Sequence, residues 1–369
     1  MTNDRSPVTS FVTRNEPSMP ATTSVAYRMP AEWEPHRATW IAWPHHAADW
    51  PGKFAAIPWI YAEIVRHLTA SETVCLLVAD AKMQARARRH LRRAGIGMDR
   101  VEFYQVPTDR VWTRDYCPIF VVGEKGDVAL TDWHFNGWAK YPNWQRDDAV
   151  AGRVAELLGR PIRQPVVKGK RVVLEGGSID VNGKGLLLTT EECLLGTEQA
   201  RNPGLTQKAL EKTLCEFLGI KKILWLNRGI AGDDTHGHVD DLARFVNERT
   251  VAIVTEDDPD DENYLPLHEN LERLKAMTDQ DGRPLEVVTL PMPDPVMFAG
   301  QRLPASYANF YIANDRVLVP TFNDPMDRIA LGTLAEQFPD RKVVGIHAVD
   351  LVWGLGTLHC LTQQEPAPR

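Results

Sequence analysis

The sequence is poor in cysteine, has no long apolar run and carries no excess of positive charge. Its 369 residues include five cysteines, and no C-x-x-C pair occurs among them, which disfavours a disulfide framework and a cysteine-based metal site. We therefore predict reduced thiols and a cytoplasmic location. No apolar segment approaches the roughly 20 residues that a membrane span needs, and the first residues lack the apolar core of a signal peptide.

Charge and composition narrow the choice of partners. The formal net charge is −7, which disfavours nucleic acid and anionic membranes as partners and favours a small cationic ligand. Hydrophobic residues make up 43% of the chain, as in globular proteins. Residues 1–24 are polar and rich in Ser, Thr and Pro, so we predict a disordered tail there and one folded domain over residues 25–369.

Strand-like and helical patterns alternate along the chain, which predicts an α/β fold. The predicted strands and helices comprise strands at 39–43, 74–78 and 222–226 and helices at 57–68, 82–94, 150–158 and 207–218, the last followed by a glycine typical of a helix end.

Four predicted hairpins suggest an internal repeat. Their turns begin at Gly123, Asn182, Asn247 and Asn314, roughly 60–70 residues apart, and each turn contains residues that tolerate positive φ. A strand, a turn, a second strand and a helix would then form one module used several times. The alternative is that an α/β protein simply contains several hairpins.

Polar residues precede three of these hairpins, and a cysteine lies near the C-terminus. Asp115 comes before the first hairpin, Glu175 before the second, and His238 with Asp240 before the third. Cys360 follows a glycine-rich approach. If the modules surround one axis, their equivalent ends meet. A thiol, an imidazole and carboxylates at one place could attack a cationic carbon covalently.

Each of these residues also has a simpler interpretation. A lone buried cysteine is usually structural, and isolated carboxylates usually cap helices or form ion pairs. We expect Cys360 on an apolar strand, where the adjacent His359 would point to the opposite face and could not activate it. On a second strand His238 and Asp240 would share one side, with Asp241 facing away.

A metal site is the main alternative for the histidine motif. His236, His238 and Asp240 read as H-x-H-x-D, a pattern of some metallohydrolases. A metal ion needs further ligands, and no second paired-histidine motif follows, so we predict no metal and no organic cofactor.

Taken together, the motifs resemble one family over residues 29–364: the agmatine deiminases and related bacterial-type peptidylarginine deiminases of the guanidine-modifying superfamily. The segments that carry the resemblance are Met-Pro-Ala-Glu-Trp-Glu-Pro-His at 29–36, Thr-Trp-Ile-Ala-Trp-Pro at 39–44, Trp-Thr-Arg-Asp at 112–115, Glu-Gly-Gly-Ser at 175–178, Thr-Thr-Glu-Glu-Cys-Leu-Leu at 189–195, Gly-His-Val-Asp at 237–240, Tyr-Ala-Asn-Phe-Tyr at 307–311 and His-Cys-Leu-Thr-Gln-Gln at 359–364.

The resemblance implies a fold and a set of roles. The fold would be a pseudo-fivefold α/β propeller of ββαβ modules around a central active site. Cys360 would be the nucleophile and His238 the general acid and base, with Glu175 supporting the histidine and the substrate. Asp115 and Asp240 would grip the guanidinium group. The product would be N-carbamoylputrescine, which feeds putrescine and polyamine synthesis, if the substrate is agmatine.

The substrate is less well fixed than the reaction. The acidic pair at 233–234 favours a substrate with an amine tail, so we assign Asp234 and Trp112 to substrate binding. The residues at 116–117, 235–236 and 354–358 depart from the common family pattern. Arginine, peptidylarginine or another alkylguanidine is the alternative substrate. A metal-dependent hydrolase, an amidinotransferase and a noncatalytic guanidine-binding protein are further alternatives, and a homodimer is compatible with the sequence.

Overall fold

A computed structural model describes residues 27–368. The tail predicted at residues 1–24 lies outside the described residues, and the domain boundaries stay a prediction. The two chain ends that are described lie together, because the strand Gln363–Pro366 pairs antiparallel with His36–Ala42. Two further strands, Thr73–Val78 and Val101–Gln105, extend that sheet in parallel.

The four predicted hairpins are confirmed by their antiparallel strand pairs. Glycines with positive φ make the first two turns, whereas in the third the Asn247 side chain accepts hydrogen bonds from the backbone N–H groups of the turn. The paired strands are Ile119–Gly123 with Val128–Thr131, Asp180–Val181 with Leu186–Thr190, Ala243–Phe245 with Thr250–Thr255, and Tyr311–Ile312 with Arg316–Thr321.

Each hairpin gains a third strand that runs parallel to its second strand. A parallel neighbour requires a crossover connection, and helices supply it here. The third strands are Ile162–Arg163, Lys222–Leu226, Glu286–Pro291 and Lys342–His347. The sheet at the chain ends repeats this order and adds a fourth strand, so five sheets share one plan. In this fifth sheet the antiparallel pair is built from both ends of the chain.

The helices lie at segments whose apolar residues recur every three or four positions. In Gln207–Leu218, Leu210, Leu214 and Leu218 are buried, the Thr206 side chain caps the start, and Gly219 ends the helix with φ 69°. The α-helices are Ile57–Leu68, Ala81–Arg93, Thr113–Tyr116, Gln145–Asp148, Val150–Leu158, Glu191–Leu195, Gln207–Leu218, Tyr264–Lys275 and Met326–Gln337, and the 3₁₀ turns are Ala47–Asp49, Gly176–Ser178, Val239–Asp241 and Val352–Gly354.

Three short pairings complete the strands. Tyr27–Arg28 pairs with Ile119–Gly123, Val166–Val167 pairs with Lys170–Arg171, and Met297–Phe298 pairs with Gln301–Arg302. Over residues 27–368, every helix is too short or too polar to cross a membrane.

Two local expectations were wrong. Cys360 lies in a turn before the strand Gln363–Pro366, and Asp240 with Asp241 lies in the 3₁₀ turn that follows His238. Strand alternation therefore does not decide where these side chains point. In the tighter turn Asp240 and Asp241 are both buried, whereas the strand prediction placed Asp241 on the opposite face.

Candidate active site

The segments that precede the first strands of the five sheets bring their polar side chains together. Asp115 lies in the helical turn before Ile119–Gly123, Glu175 precedes Asp180–Val181, Asp240 precedes Ala243–Phe245 and Cys360 precedes Gln363–Pro366. All four are buried. Polar residues at equivalent ends of the sheets therefore lie close together, as expected, although the turns differ from those predicted.

His238 is the centre of the cluster. Its Nδ1 lies 3.8 Å from Asp115 Oδ1 and 3.9 Å from Asp240 Oδ1, and its Nε2 lies 3.9 Å from Glu175 Oε2. These separations are longer than hydrogen bonds. Neither ring nitrogen has a hydrogen-bond partner among residues 27–368.

A glycine keeps this arrangement open. A Cβ at Gly177 would lie 2.7 Å from Nδ1 of His238, 2.8 Å from Oδ1 of Asp115 and 3.0 Å from Oδ2 of Asp240. All three distances are shorter than van der Waals contact. The backbone N–H of Gly177 also donates to Asp115 Oδ1 at 3.0 Å. The second glycine of the Glu-Gly-Gly motif is thus required by space at the site.

The sulfur of Cys360 lies beside the same carboxylates. Its Sγ is 3.7 Å from Asp240 Oδ2, and the amide Nδ2 of Asn309 lies 3.1 Å from it. Burial, with Asp240, Asp241 and Asp115 nearby, raises the pKa of the Cys360 thiol well above its usual value. The sulfur is therefore a neutral thiol when no cation is present.

The pKa of Glu175 is lowered at this site, whereas the pKa of His238 is raised. Burial opposes ionisation of Glu175, but Arg201, whose Nε donates to it at 2.9 Å, together with His238 lowers its pKa to about 2. Burial also opposes the charged form of His238, but Asp115, Cys193 and Glu175 together raise its pKa well above the usual value. The imidazole is therefore protonated at neutral pH.

The two carboxylates that the sequence assigned to the grip also differ. Burial raises the pKa of Asp115 to about 6, with repulsion from Asp240 and Glu175 adding to it. Trp138 Nε1 donates to Asp115 at 2.8 Å. Burial opposes ionisation of Asp240 too, but a hydrogen bond and the charge of His359 lower its pKa.

A cavity of about 310 Å³ leads to Cys360 and Asp115. Trp112 and Trp138 form aromatic parts of its wall. The approach 354–356 packs closely, since a Cβ at Gly356 would lie 2.8 Å from the Trp112 ring. The cavity is large enough for a small extended ligand. The other residues used below that line it are Asp49, Arg110, Tyr141 and Asp234.

Charged groups at the cavity wall are already paired. Asp234 accepts a hydrogen bond from Tyr141 Oη at 2.6 Å and is paired with Lys140. Arg110 forms a 2.5 Å ion pair with Asp49, whose second oxygen has no hydrogen-bond partner in the described part of the chain. The far end of a bound ligand would therefore lie near both negatively and positively charged side chains at this wall.

The H-x-H-x-D metal set is not assembled. His236 adopts φ 64° and its Nε2 lies 3.7 Å from Glu198, away from the cluster around His238. Over residues 27–368, the buried groups with metal-type donors are instead Glu175 with Cys193 and His238, and Asp240 with Asp241 and Cys360. Neither of these groups contains His236, so the metal alternative loses the ligand set on which it was based.

The sequence analysis missed several residues of this site. Asn309 contacts the sulfur, Arg201 holds Glu175, Asp241 accepts from Asn309 at 3.0 Å, and His359 contacts Asp240. The segment Tyr-Ala-Asn at 307–309 stood among the motifs that carry the resemblance, so Asn309 had a signal. No motif in the sequence pointed to Arg201.

Comparison with known proteins now defines the class. Residues 28–366 match the family model described as Porphyromonas-type peptidyl-arginine deiminase. The match covers nearly all of the described residues, and the chain belongs to this family.

Individual relatives are more specific. The agmatine deiminase of Pseudomonas aeruginosa strain LESB58 is 37% identical, over 93% of this chain and 96% of the relative. The solved agmatine deiminase of Enterococcus faecalis has a TM-score of 0.85 and 33% identity, covering 93% of this chain and 97% of that one. A substrate-bound agmatine deiminase of C. jejuni has a TM-score of 0.83 and 31% identity, with the same coverage.

Proposed function

We propose that the chain hydrolyses agmatine to N-carbamoylputrescine and ammonia. The supporting observation is the buried convergence of one thiol, one imidazole and three carboxylates at the inner end of a small cavity. The similarity to agmatine deiminases over most of the chain points to the same reaction. A hydrolase that acts on C–N bonds of amidines needs no redox chemistry.

Substrate binding would use the two carboxylates that lie closest to Nδ1 of His238. A guanidinium ion is planar and donates paired hydrogen bonds, which suits Asp115 and Asp240 on opposite sides of it. The cation would also offset the charges that raise the pKa of Cys360. The thiol proton can then leave to water, and the thiolate forms next to the guanidinium carbon.

The chemistry would proceed in two halves through His238. The Cys360 sulfur adds to the guanidinium carbon, and protonated His238 donates its proton to the leaving nitrogen, so the C–N bond breaks and ammonia departs. A cationic amidino-thioether remains. The histidine, now neutral, takes a proton from water as the water oxygen attacks the same carbon. Collapse breaks the C–S bond, the hydroxyl proton leaves to solvent, and the ureido product and the thiolate are released.

Glu175 would keep the histidine effective in both halves. Its pKa of about 2 means that it stays ionised at neutral pH, and its negative charge favours the imidazolium form from 3.9 Å. Arg201 holds this carboxylate in place. The low-dielectric, preorganised surroundings supply much of the expected rate.

The architecture would follow from the shared plan of the five sheets. We propose that they form the blades of a pseudo-fivefold propeller around the site. In support, the residues before the five first strands are Asp115, Glu175, Asp240, Asn309 and Cys360, one from each sheet.

Arginine or peptidylarginine is the second candidate substrate, and Arg110 in the cavity wall favours it because a guanidinium side chain can bind a carboxylate. The tight pair with Asp49 weakens that argument. Asp234 and the second oxygen of Asp49 favour an amine tail instead, and Trp112 would pack against the alkyl chain.

One assay tests these alternatives. Purified protein with chelator present is given agmatine, arginine or a blocked arginyl peptide, and ammonia and ureido product are measured. We expect equal amounts of both products from agmatine and much slower turnover of the other two. Chelator-sensitive activity would support a metallohydrolase. Ammonia-free transfer to an added amine would support an amidinotransferase, and saturable binding without turnover a binding protein.

A further inference from the structure

His359 occupies an unusual position between two buried carboxylates. Its Nδ1 lies 2.7 Å from Asp240 Oδ2, and its Nε2 lies 2.9 Å from Glu32 Oε2. All three side chains are at most 3% exposed. The two contacts join the beginning of the described chain to its last turn through the centre of the site.

The hydrogen bonds at the two ring nitrogens indicate how many protons the ring carries. A neutral imidazole has one N–H group, whereas an imidazolium has two. Burial opposes ionisation of Glu32, but Arg244 and Arg114, which contact it at 3.0 and 3.1 Å, lower its pKa, so it is an ionised acceptor for Nε2. Asp240 Oδ2 lies within hydrogen-bonding distance of the other ring nitrogen. Two carboxylates at hydrogen-bonding distance therefore require both ring nitrogens to donate, so His359 carries a positive charge.

The hydrogen bond and charge of His359 favour the ionised form of Asp240. Without His359, burial and the neighbouring acids would favour a protonated carboxyl. The groups that face Asp240 besides His359 are Asp115, His238, Asp241, Arg244 and Cys360, and those that face His359 besides Asp240 are Glu32 and Asp180.

Glu32 is itself held firmly from the other side. It contacts Nη2 of Arg114 at 3.1 Å and Nη2 of Arg244 at 3.0 Å, and it accepts the backbone N–H of Ile312 at 2.8 Å. The ring of His359 is thus fixed at both nitrogens, and it is not free to act on the adjacent sulfur. Sγ of Cys360 contacts Asn309 and Asp240 instead.

We propose that His359 is a positioning residue for the guanidinium: as a fixed imidazolium it keeps Asp240 ionised and oriented, with Glu32 fixing the ring from behind. This role rests on the proposed grip of the guanidinium by Asp240. It assigns a function to a histidine that touches neither the substrate nor the reacting atoms. The other oxygen of Asp240 stays available to the ligand.

The test measures binding, so it does not depend on turnover. Agmatine and methylguanidine are titrated into Cys360→Ala protein by calorimetry between pH 5.5 and 8.5, with and without His359→Asn. Asparagine keeps a neutral donor toward Asp240 and removes the charge. At pH 8.5 we expect a modest loss of affinity. At pH 6 we expect the loss to be at least about tenfold greater, because Asp240 then binds a proton.

His134→Asn is the matched control. His134 also lies beside a carboxylate, with its Nδ1 2.9 Å from Asp148 Oδ1, but this pair is outside the candidate site. We expect this substitution to leave the pH dependence of binding unchanged. An affinity loss in His359→Asn that is equal at both pH values would reduce His359 to a structural role and overturn the proposal.

Two further results separate the proposals from each other. Binding of methylguanidine without binding of agmatine would reject the substrate but leave the role of His359 standing. If neither agmatine nor methylguanidine binds, the proposed binding of the guanidinium by Asp240 and the proposed role of His359 are both rejected. If His359→Asn does not fold, the ring nitrogens are followed by NMR in His238→Asn protein at pH 7.5, where one imidazole should carry a proton on both nitrogens, as its two carboxylate contacts require. A spectrum in which no imidazole carries two N–H protons would overturn the proposal.

Discussion

Asp240 separates two charged regions that are equally buried but differently paired. On the cavity side, both ring nitrogens of His238, one oxygen of Glu175 and one oxygen of Asp240 have no hydrogen-bond partner within residues 27–368. On the far side, Glu32, Arg114 and His359 are joined at hydrogen-bonding distances. Nε and Nη2 of Arg244 have no hydrogen-bond partner in the described residues, but they form ion pairs with Asp180 at 3.3 Å and with Glu32 at 3.0 Å. A buried polar group without a partner costs about 1–3 kcal/mol, so the first region lowers stability and the second supports it.

The difference indicates which region receives a ligand. Side chains that pair with each other have little to gain from a substrate. Those held near one another at 3.8–3.9 Å, with unused donors and acceptors, gain most when a planar cation or a water enters. Substitutions on the two sides should therefore separate activity from stability.

The largest effect is expected at the sulfur. Cys360→Ala should reduce turnover of agmatine by at least about 10³-fold, because the covalent route needs the thiolate. Ureido product is measured, and the unfolding transition is compared with that of the parent. Cys215→Ala, on the outer helix Gln207–Leu218, is the control and should keep full activity. Substantial residual turnover in Cys360→Ala would rule out the covalent intermediate.

A smaller but still large loss is expected when the space at the centre is filled. Gly177→Ala places a methyl group against His238, Asp115 and Asp240, so kcat/KM should fall by about 10²-fold, as misplaced catalytic groups do. The matched control is Gly152→Ala within helix Val150–Leu158, where a Cβ meets nothing within 4 Å.

The control substitution should stabilise the protein by about 0.5–1 kcal/mol through helix propensity and leave the rate unchanged. Equal rates in the two alanine variants would mean that the space beside His238 is not needed. The cavity side would then not be the reacting region.

The smallest effect is a gain of stability at Asp115. Its folded pKa of about 6 lies above the unfolded value, so the folded state favours the proton and stability increases as pH falls from about 7 towards 4. Asp115→Asn removes the repelled charge and should stabilise the protein at pH 7.5 by up to about 3 kcal/mol. At pH 5 the gain should shrink by about half.

Urea unfolding at the two pH values measures this gain. Glu175→Gln serves as the opposite case, because the pKa of Glu175 is lowered to about 2 and the substitution leaves Arg201 buried without its ionic partner. It should destabilise the protein. Destabilisation by both substitutions would contradict the distinction between an acid whose pKa is raised by its surroundings and one whose pKa is lowered.

Local patterns carried much of the fold. The helices Ile57–Leu68, Val150–Leu158 and Gln207–Leu218 have the predicted ends, because apolar spacing and a terminal glycine or cap act over a few residues. The four hairpins were likewise predictable from their turns. The fifth sheet was not, because its hairpin partners lie at opposite ends of the chain and no local pattern links them.

The site was predictable in its members but not in its geometry. Asp115, Glu175, His238, Asp240 and Cys360 were found from motifs, and all lie together. The predicted local conformations of Cys360 and Asp240 were wrong, because 3₁₀ turns and irregular turns have no periodic pattern in the sequence. Trp112 and Asp234 line the cavity as expected, and their contacts with substrate stay predictions.

The sequence by itself determined the residue types that form strands, turns and the candidate site, because those choices depend on short-range conformation and on intrinsic chemistry. Only the tertiary structure decided which charges face each other. The protonation of His359, the neutral thiol of Cys360 and the ionised Glu175 all arise from burial and from partners distant in the chain. Electrostatic interactions depend on distance in space, which the order of residues does not contain.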